Sequence, residues 1–224
     1  MTVAARITNK AGAHYRLGVD IGGTFTDIVL IAPNGQIYNK KVSSTEDDYA
    51  RGILEGIEKA LVAFGLTDVN ITEVTHGTTV ASNTILQMSG PRTGLITTLG
   101  FRDVLELRTL RMPRLYDLRW EKPPPLVERY LRVEVDERVD TQGQVQKALD
   151  RASAQSAVNR LLEEGVEAIA VCLINSFANP INERLLSDVI HEIAPEVPCC
   201  ISYDVLPEIK EYERTSTTVI NAYL

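Results

Sequence analysis

Apolar and polar residues alternate from Arg16 to Asp20, the pattern stops at Gly22-Gly23, and it resumes from Phe25 through Leu30. Period-two alternation on both sides of a glycine pair predicts a β-hairpin with a glycine tip. Asn34-Gly35 turns the chain again, and Gln36 to Val42 predicts a third strand, polar on one face. The spacing then changes to four, at Tyr49, Ile53, Ile57 and Leu61. This predicts an amphipathic helix, capped by Ser44 or Thr45, with Glu46, Asp47 and Asp48 in its first turn and Gly65 at its end.

Asn70 to Thr75 predicts a short strand, followed by the hydroxyl-rich turn His76 to Asn83 and a helix from Thr79 to Met88. Arg92 to Thr98 predicts a strand, Gly100 to Arg108 the start of a helix, and Asp117 to Val127, with its run of prolines, a rigid extended connector. Arg129 to Asp140 alternates as a strand that Thr141 to Val145 turns back as a hairpin. A helix from Lys147 to Glu164 ends at Gly165, and the near-continuous apolar run Glu167 to Ile174 predicts a strand buried on both faces. Asn179-Pro180 starts a helix with Ile181, Leu185, Leu186, Val189, Ile190 and Ile193 on its buried side, and Val197 to Asp204 predicts a further strand. Strands alternating with helices predict an α/β fold, a mixed sheet with flanking helices. Glu211 to Leu224 reads as a helix that stops without glycine, asparagine, proline or a polar tail, as though cut.

With 224 residues, 44% of them hydrophobic, the chain can hold one large or two small domains with a real core. A formal net charge of -7 argues against a general nucleic-acid partner. No apolar run reaches the length of a signal peptide or a membrane span, so a soluble, cytoplasmic protein is expected, with Met1 to Tyr15 as a flexible tail. The three cysteines, Cys172, Cys199 and Cys200, have no framework spacing and read as reduced, buried thiols. Cys199 and Cys200 are expected to point to opposite faces of a strand, which argues against a shared metal site. Arg102, Arg108, Arg111, Arg114 and Arg119 form a basic run, either a solvated face or, for one or two of them, a lining for an anion site.

The glycine tip is the first candidate for chemistry. Without Cβ atoms its backbone N–H groups can approach an anion closely. Asp20 can hold a hydrated divalent cation, and Thr24 and Thr26 offer hydroxyls to the same oxygens. Mg²⁺ keeps several waters and takes few protein carboxylates, so this set suits a nucleoside triphosphate. A plain turn is the alternative. The turn at His76 gathers hydroxyls and helix N-terminal amides into a second possible anion or carbonyl-oxygen site. There the alternative is a threonine helix cap and a histidine satisfied by backbone carbonyls.

The string Gly18-Val-Asp-Ile-Gly-Gly-Thr-Phe-Thr-Asp27 resembles the first phosphate loop of the actin, sugar-kinase and heat-shock chaperone ATPases. Its Thr-Phe-Thr-Asp ending, Thr75-His-Gly-Thr-Thr-Val-Ala-Ser-Asn83, Gly100-Phe-Arg-Asp-Val-Leu-Glu106 and Glu211-Tyr-Glu-Arg-Thr215 resemble the hydantoinase A / 5-oxoprolinase family more narrowly. The resemblance implies the amino-terminal lobe of an actin-like (ribonuclease H-like) ATPase fold over residues 16–204. The truncated start of a second, hydantoinase A domain would follow at 205–224. It implies ATP and Mg²⁺ as cofactors and phosphorylation of a carbonyl or amide oxygen to an activated iminol or enol phosphate. A hydantoinase B-like partner subunit in a hetero-oligomer would then open a hydantoin, oxoproline or lactam ring.

In that scheme Asp20 positions Mg²⁺, the backbone of Gly22, Gly23, Thr24, Phe25 and Thr26 cradles phosphates, and Asp27 braces the hairpin. His76, Thr78 and Thr79 face the transferred phosphoryl or the substrate carbonyl, while Arg102 and Asp103 are further candidates for phosphate contact and for a base. The same resemblance covers ATP-dependent ketone carboxylases. A different class of reading is a non-catalytic half-domain that binds a partner, and a third is an actin-like sugar or carboxylate kinase. Residues 1–224 alone are expected to lack turnover, because a nucleotide clamped between two lobes draws affinity and water exclusion from both.

Overall fold

The computed structural model describes residues 14–45, 49–66, 70–109, 116–117 and 119–224, which divide into two compact units with a boundary between Gln87 and Met88. Each unit has its own sheet and its own core.

In the first unit, β1 (His14–Ile21), β2 (Phe25–Ile31) and β3 (Ile37–Ser43) form an antiparallel meander. Helix α1 (Tyr49–Phe64) crosses over to β4 (Asn70–Thr78), which lies parallel to β1 and gives the order β3-β2-β1-β4. Helix α2 (Val80–Gln87) follows directly. Strand β1 begins at His14 rather than Arg16, because Tyr15 extends the buried stripe of Leu17, Val19 and Ile21. His14 and Tyr15 are therefore strand, not tail.

The α1 face carrying Ile53, Ile57 and Leu61 packs on that stripe, as its four-residue spacing predicts. Gly56 brings helix and sheet close together: a Cβ there would sit 2.6 Å from Ile28 Cδ1 and 2.9 Å from Val42 Cγ2. The acidic first turn expected at Glu46 to Asp48 lies outside the described residues.

In the second unit the strands β5 (Thr93–Thr98), β6 (Arg132–Val135), β9 (Ala168–Cys172) and β10 (Cys199–Ile201) pair in parallel in the order β10-β9-β5-β6. A short hairpin, β7 (Arg138–Val139) and β8 (Val145–Lys147), stands apart from them. The helices are α3 (Val104–Leu107), α4 (Arg151–Glu163), α5 (Ile181–Ile193), α6 (Ser202–Val205) and α7 (Glu211–Tyr223). Every residue of β5 and β9 is buried, the outcome expected of central parallel strands covered on both faces. No helix among the described residues is long and apolar enough to cross a membrane.

The differences from the sequence pattern trace to particular polar residues. The strand expected over Arg129 to Asp140 opens as a 3-10 turn (Arg129–Leu131) and breaks at Asp136-Glu137, where Glu137 turns inward to Thr98 and Asn182. Helix α4 starts at Arg151, not Lys147, because Asp150 is its N-cap and accepts from the Ser153 N–H at 2.9 Å. The strand expected to reach Asp204 ends at Ile201, since Ser202 Oγ and the Tyr203 N–H both donate to the buried Glu183. Helix α7 packs on β9, with Val219 and Ala222 in the second unit's core.

Candidate functional site

Strands β1 and β4 run parallel, so their carboxyl ends meet at one edge of the first sheet, together with the glycine tip and the start of α2. In open α/β sheets that edge is where ligands bind. The tip is closed by the Gly22 N–H donating to Phe25 O at 2.9 Å. The N–H groups of Gly23 and Thr24 make no hydrogen bond among the described residues. Gly22 admits no side chain, for a Cβ would lie 2.9 Å from Phe25 O.

Asp20 occupies the last outward position of β1. It pairs in register with Asp27 on one side and Gly77 on the other, and a Cβ at Gly77 would stand 3.5 Å from Asp20 Oδ1. Asp20 is exposed and makes no hydrogen bond or ion pair among the described residues. Asp27 is neutralised by Lys41 Nζ at 3.0 Å, and the same ammonium stands 5.5 Å from the centroid of the half-exposed Phe25 ring. The outward face thus carries two directly opposed carboxylates, of which one is paired.

Several expected residues take other positions. Thr26 points inward at 2% exposure, its hydroxyl 2.9 Å from Ser44 Oγ, and does not present to the open side. Strand β4 continues through His76, Gly77 and Thr78 instead of ending at Thr75. His76 registers with Val19 and Thr78 with Ile21, so strand parity sets both on the sheet face opposite Asp20. Thr78 Oγ1 donates to Ile21 O at 3.4 Å and accepts from the Val80 N–H at 3.2 Å, a local turn bond at the entry to α2. The His76 side chain is exposed.

Thr79 does approach the tip. Its N–H donates to Ile21 O at 3.1 Å, and its hydroxyl accepts from Asn83 Nδ2 at 3.5 Å. That Asn83 amide lies 3.7 Å from where a Cβ of Gly23 would be. Asn83 closed the second family string without a role assigned to it; its position four residues after Thr79 on a helix was the available signal.

Arg102 and Asp103 belong to the second unit. Asp103 is engaged by Arg129 through both carboxylate oxygens, at 2.9 and 3.0 Å. That guanidinium holds the Asp103 carboxyl below the usual range. The Arg102 N–H faces Glu134 Oε1 at 3.4 Å, and its buried Nε has no partner among the described residues. Arg111 and Arg114 lie outside the described residues. A cavity of about 760 Å³ in this unit is lined by Phe101, Val104, Leu107, Arg108, Thr109 and the start of α7, and contains neither Arg102 nor Asp103.

The residues fit a phosphate chain and one hydrated divalent cation. Two N–H groups without partners among the described residues and a glycine turn match anionic oxygens. A single partnerless carboxylate suits Mg²⁺, and no cluster of three or more histidine, cysteine or acidic ligands exists among the described residues to favour a fully protein-coordinated metal.

The family model for the hydantoinase/oxoprolinase N-terminal region matches residues 16–194. An uncharacterised protein of Methanocaldococcus jannaschii is 39% identical over 94% of this chain and 31% of its own length. The caprolactamase subunit alpha of Pseudomonas jessenii is 36% identical, again over 94% of this chain and 31% of its own. The nucleotide-free structure of acetone carboxylase superposes with a TM-score of 0.84 at 28% identity, covering 94% of this chain and 32% of that one. The chain spans about a third of the length of these relatives.

Proposed function

The chain belongs to the hydantoinase/oxoprolinase family, and from that membership we propose that it supplies the first phosphate-binding element of an ATP-dependent enzyme that activates a carbonyl or amide oxygen for ring opening of a cyclic amide. The observation that carries this reading is the tip, where the unbonded N–H groups of Gly23 and Thr24 stand beside the partnerless Asp20 carboxylate. In this reading the Gly23 and Thr24 N–H groups bind phosphate oxygens, and Asp20 orients a hydrated Mg²⁺ against them. Asn83 and Thr79 bound the tip on the α2 side. ATP, when bound, supplies the phosphoryl group that makes a weakly electrophilic carbonyl reactive.

A subunit of the hydantoinase B type, within a cytoplasmic hetero-oligomer, completes the proposal. It is supported by the relative named as caprolactamase subunit alpha, which is itself one subunit of an enzyme. A ketone as the activated carbonyl, carboxylated instead of hydrolysed, is the second reading, favoured by the likeness to acetone carboxylase. The test is ATP consumption by the complete protein with its co-purifying subunits, offered a set of lactams, hydantoins and oxoproline or, separately, ketones with bicarbonate. Mg²⁺-dependent ATP consumption stimulated by a cyclic amide is expected. Stimulation by ketone and bicarbonate alone selects the second reading, and no nucleotide binding under any condition refutes both.

A further inference from the structure

Ser44, which the sequence offers as a helix cap, makes contacts of a different kind. Its N–H donates to Thr24 O at 3.0 Å, and its hydroxyl donates to Gly22 O at 2.8 Å. Thr26 Oγ1 lies 2.9 Å from the same hydroxyl. A serine hydroxyl carries one proton, and a carbonyl can only accept. Ser44 therefore spends its proton on Gly22 O, and Thr26 is the donor to Ser44. Thr26 is 2% exposed, so this relay runs under the tip, away from solvent.

The relay fixes which way the tip peptides face. In a trans peptide the C=O and the following N–H point in opposite directions. Tying Gly22 O back to Ser44 therefore turns the Gly23 N–H outward, and tying Thr24 O back does the same for the Phe25 N–H. Glycine places little restriction of its own on the orientation of the Gly22–Gly23 peptide. A flipped peptide would present its carbonyl oxygen to an anion and repel it.

We propose that Ser44, supported by Thr26, is a positioning residue that holds the Gly22–Gly23 peptide with its N–H toward the phosphate chain. The inference rests on the tip being the phosphate site. It predicts a defect specific to phosphate, because Ser44 acts only through the tip backbone that the proposal sets against the phosphates.

The experiment compares Ser44→Ala, Thr26→Val and Ser44→Thr with the wild type in the complete protein. It measures Mg·ATP and adenosine affinities, together with amide hydrogen exchange of Gly22 and Gly23 without nucleotide. Ser44→Ala is expected to weaken Mg·ATP about tenfold, the loss of one well-formed hydrogen bond to a part-buried carbonyl. Adenosine affinity should stay unchanged while exchange at Gly22 accelerates. Thr26→Val, which keeps the Ser44 to Gly22 bond but frees its hydroxyl, should show a smaller loss of the same kind, and Ser44→Thr should restore binding. Wild-type Mg·ATP affinity in Ser44→Ala, or equal losses for ATP and adenosine, overturns the inference while leaving the phosphate site standing. Absence of Mg·ATP binding in the wild type overturns the site itself, and the inference with it.

Discussion

In the first unit, Asp20 faces Asp27 across an open sheet with no donor of its own, whereas in the second unit the fully buried Glu183 is held by the Leu173 N–H at 2.8 Å, Ser202 Oγ at 2.6 Å and the Tyr203 N–H at 3.0 Å. A buried carboxylate without such donors would be costly to the fold, so Glu183 with its partners is structural: it joins the start of α5 to the ends of β9 and β10. Asp20 breaks the local rule that opposed strand positions avoid like charges, and water solvates it meanwhile. Breaking a local rule in this way is what a functional site does, and it is the ground on which Asp20 is proposed as part of one. The structural side has exceptions: the buried Arg102 Nε and Arg132 Nη1 lack partners among the described residues, and one arginine lacks two. Arg214 is fully buried, bonds to Ser176, and leaves Nε and Nη2 without partners among the described residues.

The largest expected effect is on the structural side. Glu183→Ala should lower global stability in urea by about 3 kcal/mol, because it leaves two buried backbone N–H groups and a serine hydroxyl unsatisfied. A loss under about 1 kcal/mol would show that these donors find other partners, and the contrast with Asp20 would dissolve. Next, Gly22→Ala should cost about 1–3 kcal/mol through its collision with Phe25 O. It should also weaken Mg·ATP binding more than stability, since the tip must open to admit the methyl group; thermal melts and nucleotide titration of one sample separate the two.

A third expectation concerns pH. Burial raises the Glu137 carboxyl, partly offset by the hydrogen bonds from Thr98 and Asn182. A carboxyl whose folded pKa is raised binds more protons folded than unfolded, so its contribution is full below the ordinary glutamate range and is lost as pH rises through the folded value. Glu137→Gln should flatten that decline in urea-unfolding measurements across the interval, and an unchanged slope would assign it to other groups. The smallest effect should come from Lys41→Ala, whose ion pair with Asp27 is about half exposed and worth under about 1 kcal/mol. Its sharper readout is Mg²⁺ affinity, which should rise once the nearby ammonium is gone.

Much of this contrast was legible in the chain. Alternation around Gly22-Gly23 marked the hairpin, and the four-residue spacing of Ile53, Ile57 and Leu61 marked α1, because both patterns report burial directly. Asp20 and the glycines stand out in the sequence as candidates because few other residue types suit an anion-binding tip. The direction of Thr26 followed from the alternation itself, since Thr26, Ile28 and Leu30 share the buried face, yet its hydroxyl drew the expectation outward. The role of Ser44 could not be read, because its partner is a carbonyl 22 positions earlier, brought near by the β2–β3 register. The face of His76 is hard to read for a related reason: pairing with β1 extends β4 past Thr75, and each added residue reverses the face. In the second unit, the inward turns of Glu137 and Ser202 depend on Asn182, Thr98 and Glu183, all distant in sequence.

The most direct measurement is Asp20→Asn in the complete protein, with Mg²⁺-dependent ATP consumption and the unfolding midpoint recorded on the same preparation. The account predicts a loss of turnover of about 100-fold, the scale of removing one preorganised electrostatic partner. The midpoint should be equal to or above that of the wild type, because relieving the opposition to Asp27 is worth about 0.2–1 kcal/mol. Retained turnover, or turnover lost together with stability, would contradict the claim that Asp20 is held unpaired for a ligand.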